Sequence, residues 1–146
     1  MYVRRMAEAK ARAVRAEAGE RPVLAADTVV VVDGSILGKP ADDSDARRML
    51  RLLAGRVHTV MTGVCLVYRA ITTRVAVTTV EFASLTDAEI EWGVASGEPK
   101  DKAGAYAIQG LASRFVTRID GSYSNVVGLP VALVCELCGD AGLLIS

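Results

Sequence analysis

The sequence predicts one α/β domain with a mixed sheet, and three observations carry that reading. Val23 to Val32 is a near-continuous apolar run rich in valine, the pattern of a central strand covered on both faces. Segments with helical spacing and recognisable caps lie on either side of it. Strand-like and helical stretches then alternate irregularly toward the C-terminus, with no internal repeat and no low-complexity segment.

Residues 1–18 read as a helix rich in alanine, arginine and glutamate and closed by Gly19. Val3, Met6, Ala9, Ala13 and Val14 fall at helical spacing on one face of it. It opens without a capping residue or lead-in, so the chain is expected to start part-way into a larger fold. After the valine-rich run, Asp33-Gly34 is a hairpin signal, and Ile36-Leu37 begins a short return strand stopped by Pro40. Asp42, Asp43 and Ser44 offer N-caps to a helix whose apolar stripe is Ala46, Met49, Leu50 and Leu53, with Gly55 as its C′ residue.

Residues 58–69 and 73–83 are β-rich and form an antiparallel pair joined by a short link near Ala70 to Thr72. Thr86-x-x-Glu89 is a capping box, with Leu85 and Ile90 placed for a hydrophobic staple; that helix runs to Ser96 and stops at Gly97 and Pro99. A glycine-bearing loop, Ala103 to Gly110, precedes a strand near Phe115 to Ile119. Pro130 then opens a last helix that continues through Cys138 and is ended by Gly139.

Composition narrows the function classes. The 146 residues suffice for one buried core, and 51% hydrophobic with 23% charged residues is an ordinary globular balance. Lysine plus arginine (17) equals aspartate plus glutamate (17), so net charge points to neither a nucleic-acid nor a membrane partner. The charge is uneven: residues 1–21 carry six basic and three acidic groups, whereas Asp42, Asp43 and Asp45 cluster. Three cysteines are too few for a disulfide scaffold and suit a reducing compartment. No apolar run approaches the ~20 residues of a membrane span, and the arginine-rich start lacks a signal-peptide core, so a cytoplasmic address is the default expectation.

Asp27 is the most informative single residue. It sits among Ala26, Thr28 and the valines, where a carboxylate costs several kcal/mol unless paired or bound to a metal. The plain reading is a strand-end cap or an ion pair. The sharper one is a cleft carboxylate that holds a divalent cation or activates water. Thr28 points to the opposite face of a continuous strand.

Gly38-Lys39-Pro40 is a second candidate. Three residues separate Gly34 from Gly38 and Pro40 stands where a Walker loop needs Ser or Thr, so this is not that motif. A stiffened hairpin end aiming Lys39 and a solvated turn lysine both fit the spacing. Between Asp101 and Gly110, Gly104 and Gly110 permit close backbone approach, and Gln109 offers a donor and an acceptor. Lys10, off the apolar stripe of the first helix, reads on its own as solvated. His58, the only histidine, reads as structural, and Cys135-Glu136-Leu137-Cys138 as part of an apolar core helix.

Taken together, the blocks Ala26-Asp27-Thr28-Val29-Val30, Gly38-Lys39-Pro40, residues 55–64 (GRVHTVMTGV), Ser96-Gly97-Glu98-Pro99, residues 101–110 (DKAGAYAIQG) and residues 123–130 (YSNVVGLP) resemble the Maf family, in family order. Singly most are weak; jointly they are specific and cover nearly the whole chain. The resemblance implies a mixed, curved β-sheet flanked by helices, as in Maf and inosine triphosphatase-like proteins. It implies hydrolysis of a nucleoside triphosphate to the monophosphate and pyrophosphate with a divalent metal, Mg or Mn.

By the same resemblance Asp27 matches the proton acceptor and metal-side carboxylate, and Lys10, Lys39 and Lys102 match basic positions at the phosphate cleft. Thr28 and Gln109 match positions linked to substrate choice. The Asp-Thr and Ile-Gln-Gly versions resemble the branch acting on dTTP and UTP, which suits removal of modified pyrimidine nucleotides. The family also implies a homodimer. Family members open with a strand and a Ser-x-Ser-Pro-Arg-Arg loop that this sequence does not show, so impaired turnover is expected. The alternative is a non-catalytic binding protein that acts on septum formation.

Overall fold

The computed structural model describes residues 1–143. In chain order it has helix α1 (Tyr2–Ala18), strands β1 (Val23–Val32) and β2 (Ser35–Leu37), α2 (Asp43–Leu53), β3 (Val57–Tyr68), β4 (Ala70–Phe82), α3 (Asp87–Ala95), β5 (Val116–Asp120), α4 (Tyr123–Val127) and α5 (Val131–Asp140). Short 3-10 turns at Glu98–Asp101, Ala103–Ala105 and Leu111–Phe115 fill the stretch between α3 and β5. One five-stranded sheet has the order β2-β1-β3-β4-β5, so the chain is of the α/β class the sequence predicts. No helix among the described residues is long and apolar enough to cross a membrane.

Local chemistry explains most boundaries. Asp33 and Gly34 both take positive φ (47° and 78°), the pair a tight hairpin needs, and they set β1 antiparallel to β2 with Val30 opposite Leu37. The Asp42 side chain accepts from the Asp45 amide to cap α2, and the Thr86–Glu89 capping box opens α3 with both of its bonds formed. β4 and β5 pair antiparallel, with a register shift between Glu81 and Phe82.

The chain forms two compact units, and β1, β3 and β4 each contribute residues to both. The first comprises Met1–Thr28, Met61–Val77 and the chain from Ser122 onward. Here alternation along the strands sorts two cores. Ala7 and Ala11 of α1 pack with Val23, Cys65 and Val67, and Ala25 joins them. Val64 and Leu66, of the opposite parity, pack with Leu137 and Cys138 of α5, and Ala26 joins that set. The second unit comprises Val29–Val60 and Thr78–Gly121. Its core includes Val30, Val32, Leu50, Leu53, Val60, Val80, Phe82 and Ile90, each nearly or wholly buried.

Four sequence expectations are corrected. The buried face of α1 is Val3, Ala7 and Ala11, while Val14 is exposed; a helix with alanine in every turn gives hydrophobic spacing little contrast. The β3–β4 link is the single residue Arg69, in a left-handed conformation (φ 65°), so it falls before residues 70–72. α5 runs past Gly139. Its stop is a Schellman pair in which Leu143 N–H donates to Cys138 O at 2.8 Å and Gly142 N–H to Gly139 O at 3.1 Å, with Gly142 at φ 81°. Cys138 is buried but Cys135 is exposed, so only half of the CxxC belongs to the core. The short helix α4 has no counterpart in the sequence reading.

Gly63 on β3 shows how closely α1 approaches. A Cβ at this position would stand 2.4 Å from Val3 O and 3.0 Å from Arg4 N, both of them backbone atoms that cannot swing aside. Gly63→Ala is therefore expected to destabilise the protein by roughly 1–3 kcal/mol in urea unfolding. Gly139→Ala, where nothing lies within 4 Å in the last turn of α5, is expected to be neutral or to stabilise by up to about 0.5–1 kcal/mol. Equal midpoints for the two variants would contradict the packing described.

Candidate active site

In the first unit, strand alternation places neighbouring residues Asp27 and Thr28 in different company. Asp27 follows Val23 and Ala25 toward α1, where Lys10 Nζ donates to its Oδ1 at 2.8 Å and to Ala26 O at 3.1 Å. Sixteen residues of sequence separate the lysine from the carbonyl it meets, and only the docking of α1 joins them. The carboxylate is 15% exposed and the lysine 52% exposed. With its lysine half exposed, the pair contributes about 0–1 kcal/mol to stability, which does not account for a largely buried carboxylate on an apolar row. Among the described residues Asp27 Oδ2 carries no hydrogen bond, so one face of the carboxylate is available to a ligand or water.

Thr28 follows Ala26 to the other face. Its hydroxyl lies 2.9 Å from that of the fully buried Thr62 and donates to Gly128 O at 3.4 Å. Thr62 and Gly128 both fall within the quoted sequence blocks, yet nothing in their spacing predicts that they meet at Thr28. Structure alone adds them.

In the second unit, Lys39, Lys102 and Gln109 belong to one assembly of loops. Gly104 N–H donates to Gly38 O at 3.0 Å, tying the end of the β1–β2 hairpin, one residue from Lys39, to the segment two residues beyond Lys102. Gly104 is left-handed (φ 71°), and a Cβ there would be 2.8 Å from Val30 Cγ2, so both its conformation and its space require glycine. Ala105 is left-handed as well (φ 66°), a conformation that costs an L-residue about 1 kcal/mol or more. The chain then stays buried from Gly104 to Ile108 and emerges at the exposed Gln109. Lys39 is exposed, and Lys102 has the Asp101 carboxylate at 3.4 Å.

The buried segment is anchored at Tyr106, whose hydroxyl lies 2.6 Å from His58 Nε2. His58, Phe82 and Tyr106 form a trio of edge-on rings with centroids 4.8–5.3 Å apart. The structural role read for His58 from its sequence is thus the one the fold gives it.

The model of the family described as Maf-like protein matches residues 1–141, and the chain belongs to that family. A protein named dTTP/UTP pyrophosphatase from Anaeromyxobacter sp. (strain Fw109-5) is 55% identical over 147 residues, covering 97% of this chain and 70% of that protein. Its namesake from Koribacter versatilis (strain Ellin345) is 50% identical over 149 residues, covering 98% and 75%. The one from Escherichia coli O157:H7 is 51% identical over 145 residues, covering 98% and 74%.

Burial gives His58 a pH signature. It pushes the imidazole from 6.5 down to about 4, and it raises the Tyr106 phenol above its ordinary value. Between pH 4 and 6.5 the unfolded chain therefore binds the proton that the folded chain refuses. The stabilisation is fully present above 6.5 and is lost as pH falls toward 4, by on the order of 3 kcal/mol in total. Urea unfolding at pH 7.5 and 4.5 is expected to show a larger loss for the parent than for His58→Gln; equal losses would contradict this origin.

Proposed function

We propose that the chain hydrolyses nucleoside triphosphates between the α- and β-phosphorus, releasing the monophosphate and pyrophosphate, with thymine and uracil nucleotides as substrates. The observation that carries this reading is the Asp27 carboxylate, one oxygen held by Lys10 and the other open, on a family member whose relatives are named dTTP/UTP pyrophosphatase. As the oxygen of water bonds to the α-phosphorus, Asp27 takes its proton and the bond to the bridging oxygen breaks, so that pyrophosphate leaves. Lys10 keeps the carboxylate oriented for that transfer. The alternative of a non-catalytic binding protein acting on septum formation has no observation in its favour.

Negative charge builds on the phosphates in this reaction, and fixed cations lower its cost. Lys39 and Lys102 are assigned to the triphosphate, and Thr28 and Gln109 to the choice of base. The carboxamide of Gln109 has the donor and acceptor that a thymine or uracil edge complements. The donor chemistry also suits a divalent cation of the Mg or Mn kind, which binds one or two carboxylates and fills its shell with water and phosphate oxygens. Among the described residues no three His, Cys, Asp or Glu side chains gather, so Asp27 would be one protein ligand of such an ion, not part of a closed cage. Bound there, the ion would neutralise phosphate charge. A homodimer in the cytoplasm completes the reading carried by the family resemblance, and equilibrium sedimentation tests the dimer.

Pyrophosphate release from dTTP, UTP, dCTP, dATP and GTP with Mg²⁺ or Mn²⁺ is expected to favour dTTP and UTP. Asp27→Asn is expected to cut turnover by about 10²-fold or more with an unchanged thermal midpoint. Lys39→Ala and Lys102→Ala are each expected to raise KM by about 10–100-fold, the worth of one charge-assisted hydrogen bond. Unaltered turnover in the Asp27 variant would falsify the assignment of the base.

A further inference from the structure

Gln109 is exposed, yet the backbone on both sides of it is fixed. Ile108 before it is 4% exposed, and Gly110 after it abuts the Glu98 carboxylate. A Cβ on Gly110 would fall 1.7 Å from Glu98 Oε1, so the carboxylate occupies the space any side chain at 110 would need. The same carboxylate accepts from two consecutive amides, Leu111 N–H to Oε1 at 2.7 Å and Ala112 N–H to Oε2 at 3.2 Å. These donors open the Leu111–Phe115 turn and are the kind a helical turn leaves unpaired.

Glu98 is itself held. Gly97 is left-handed (φ 76°), the Glu98 amide donates to Ser96 Oγ at 3.2 Å, and Ser96 Oγ–H donates to Gly93 O at 2.5 Å within the last turn of α3. Pro99 beside it is buried. A continuous bonded path thus runs from α3 through Glu98 to the residues following Gln109. The Asp101–Lys102 and Asp45–Arg48 pairs are separate contacts, and among the described residues Glu98 has no cation partner. Its two oxygens therefore serve backbone alone.

We propose that Glu98 is a positioning residue for base selection: it touches no nucleotide, but by clamping residues 110–112 it fixes the direction in which the Gln109 carboxamide is presented. This rests on the assignment of Gln109 to the base. A carboxamide turns about its own side-chain bonds, but the point from which it reaches the base is set by the backbone; on a loose loop that point shifts until either the oxygen or the NH₂ meets a 4-oxo or a 4-amino pyrimidine alike. Held by two fixed neighbours, it discriminates between them.

The test compares the parent, Glu98→Gln, Glu98→Ala, Gln109→Ala and the double variant Glu98→Ala/Gln109→Ala. The kcat/KM ratio of dTTP to dCTP is measured, together with calorimetric binding of the non-hydrolysable α,β-imido analogues of both nucleotides. Glu98→Ala is expected to lower the dTTP:dCTP ratio at least tenfold, toward the value of Gln109→Ala, and Glu98→Gln, which keeps one acceptor oxygen, to fall between. In the double variant the ratio is expected to equal that of Gln109→Ala. A merely structural role would lower both nucleotides equally, leave the ratio unchanged and add to the Gln109 effect; that result overturns the proposal. If Gln109→Ala itself leaves the ratio unchanged, or neither analogue binds, the assignment of Gln109 fails and this inference fails with it. Should Glu98→Ala not fold, Glu98→Gln decides on the same ratio.

Discussion

The two-residue alternation of β1 is the constraint from which the rest follows. Because adjacent side chains leave the strand on opposite faces, Asp27 and Thr28 cannot share one environment. The carboxylate goes to the α1 side with Val23 and Ala25, and the hydroxyl goes with Ala26 toward Thr62 and Gly128. A one-residue slip of this strand would exchange the two, burying a charge against Thr62 and leaving Lys10 opposite a hydroxyl. The four valines after Thr28 are alike on both faces and tolerate either register, so it is set by the Asp33-Gly34 turn, which puts Val30 opposite Leu37, and by the differing partners of Asp27 and Thr28.

What the sequence made legible is what short-range chemistry decides. The Asp33-Gly34 turn, the Asp42 cap, the Thr86–Glu89 box and the apolar stripe of α2 each involve partners within four residues, and each stands where the sequence puts it. The misses share a different origin. Gly139 and Gly142 both suit a helix end, and only packing of Leu143 with Cys138 selects the later one. Nothing in the sequence marks Gly63, whose need for glycine comes from the backbone of α1 beside it. The Lys10–Asp27 pair is not foreseen either: the resemblance names both residues but sets the lysine at the phosphates, and nothing local links a helix surface lysine to a strand carboxylate.

The segment from Gly97 to Ala112 makes the same point about cost and placement. Left-handed Gly97, Gly104 and Ala105, a tyrosine hydrogen-bonded to a buried histidine and a carboxylate given over to two amides all serve to hold a stretch with little regular structure. Glycine supplies two of these conformations without steric penalty, whereas Ala105 does not. Stretches fixed by such specific bonds lack the periodicity by which strands and helices announce themselves, so the sequence shows only a glycine-bearing loop.

The seam between α1 and β3 has a further consequence. Ala7, Ala11 and Gly63 bring two backbones close together but bury few carbon atoms, so the helix is docked by intimacy of fit and by bonds such as Thr73 Oγ1–H to Glu8 at 2.8 Å, not by a large apolar area. Elements held this way open at lower free energy than those with a broad core, and their amides exchange sooner with solvent. Lys10 rides on this helix. Undocking would therefore strip Asp27 of its counter-charge in the same event, so the orientation of the carboxylate depends on how firmly α1 is seated.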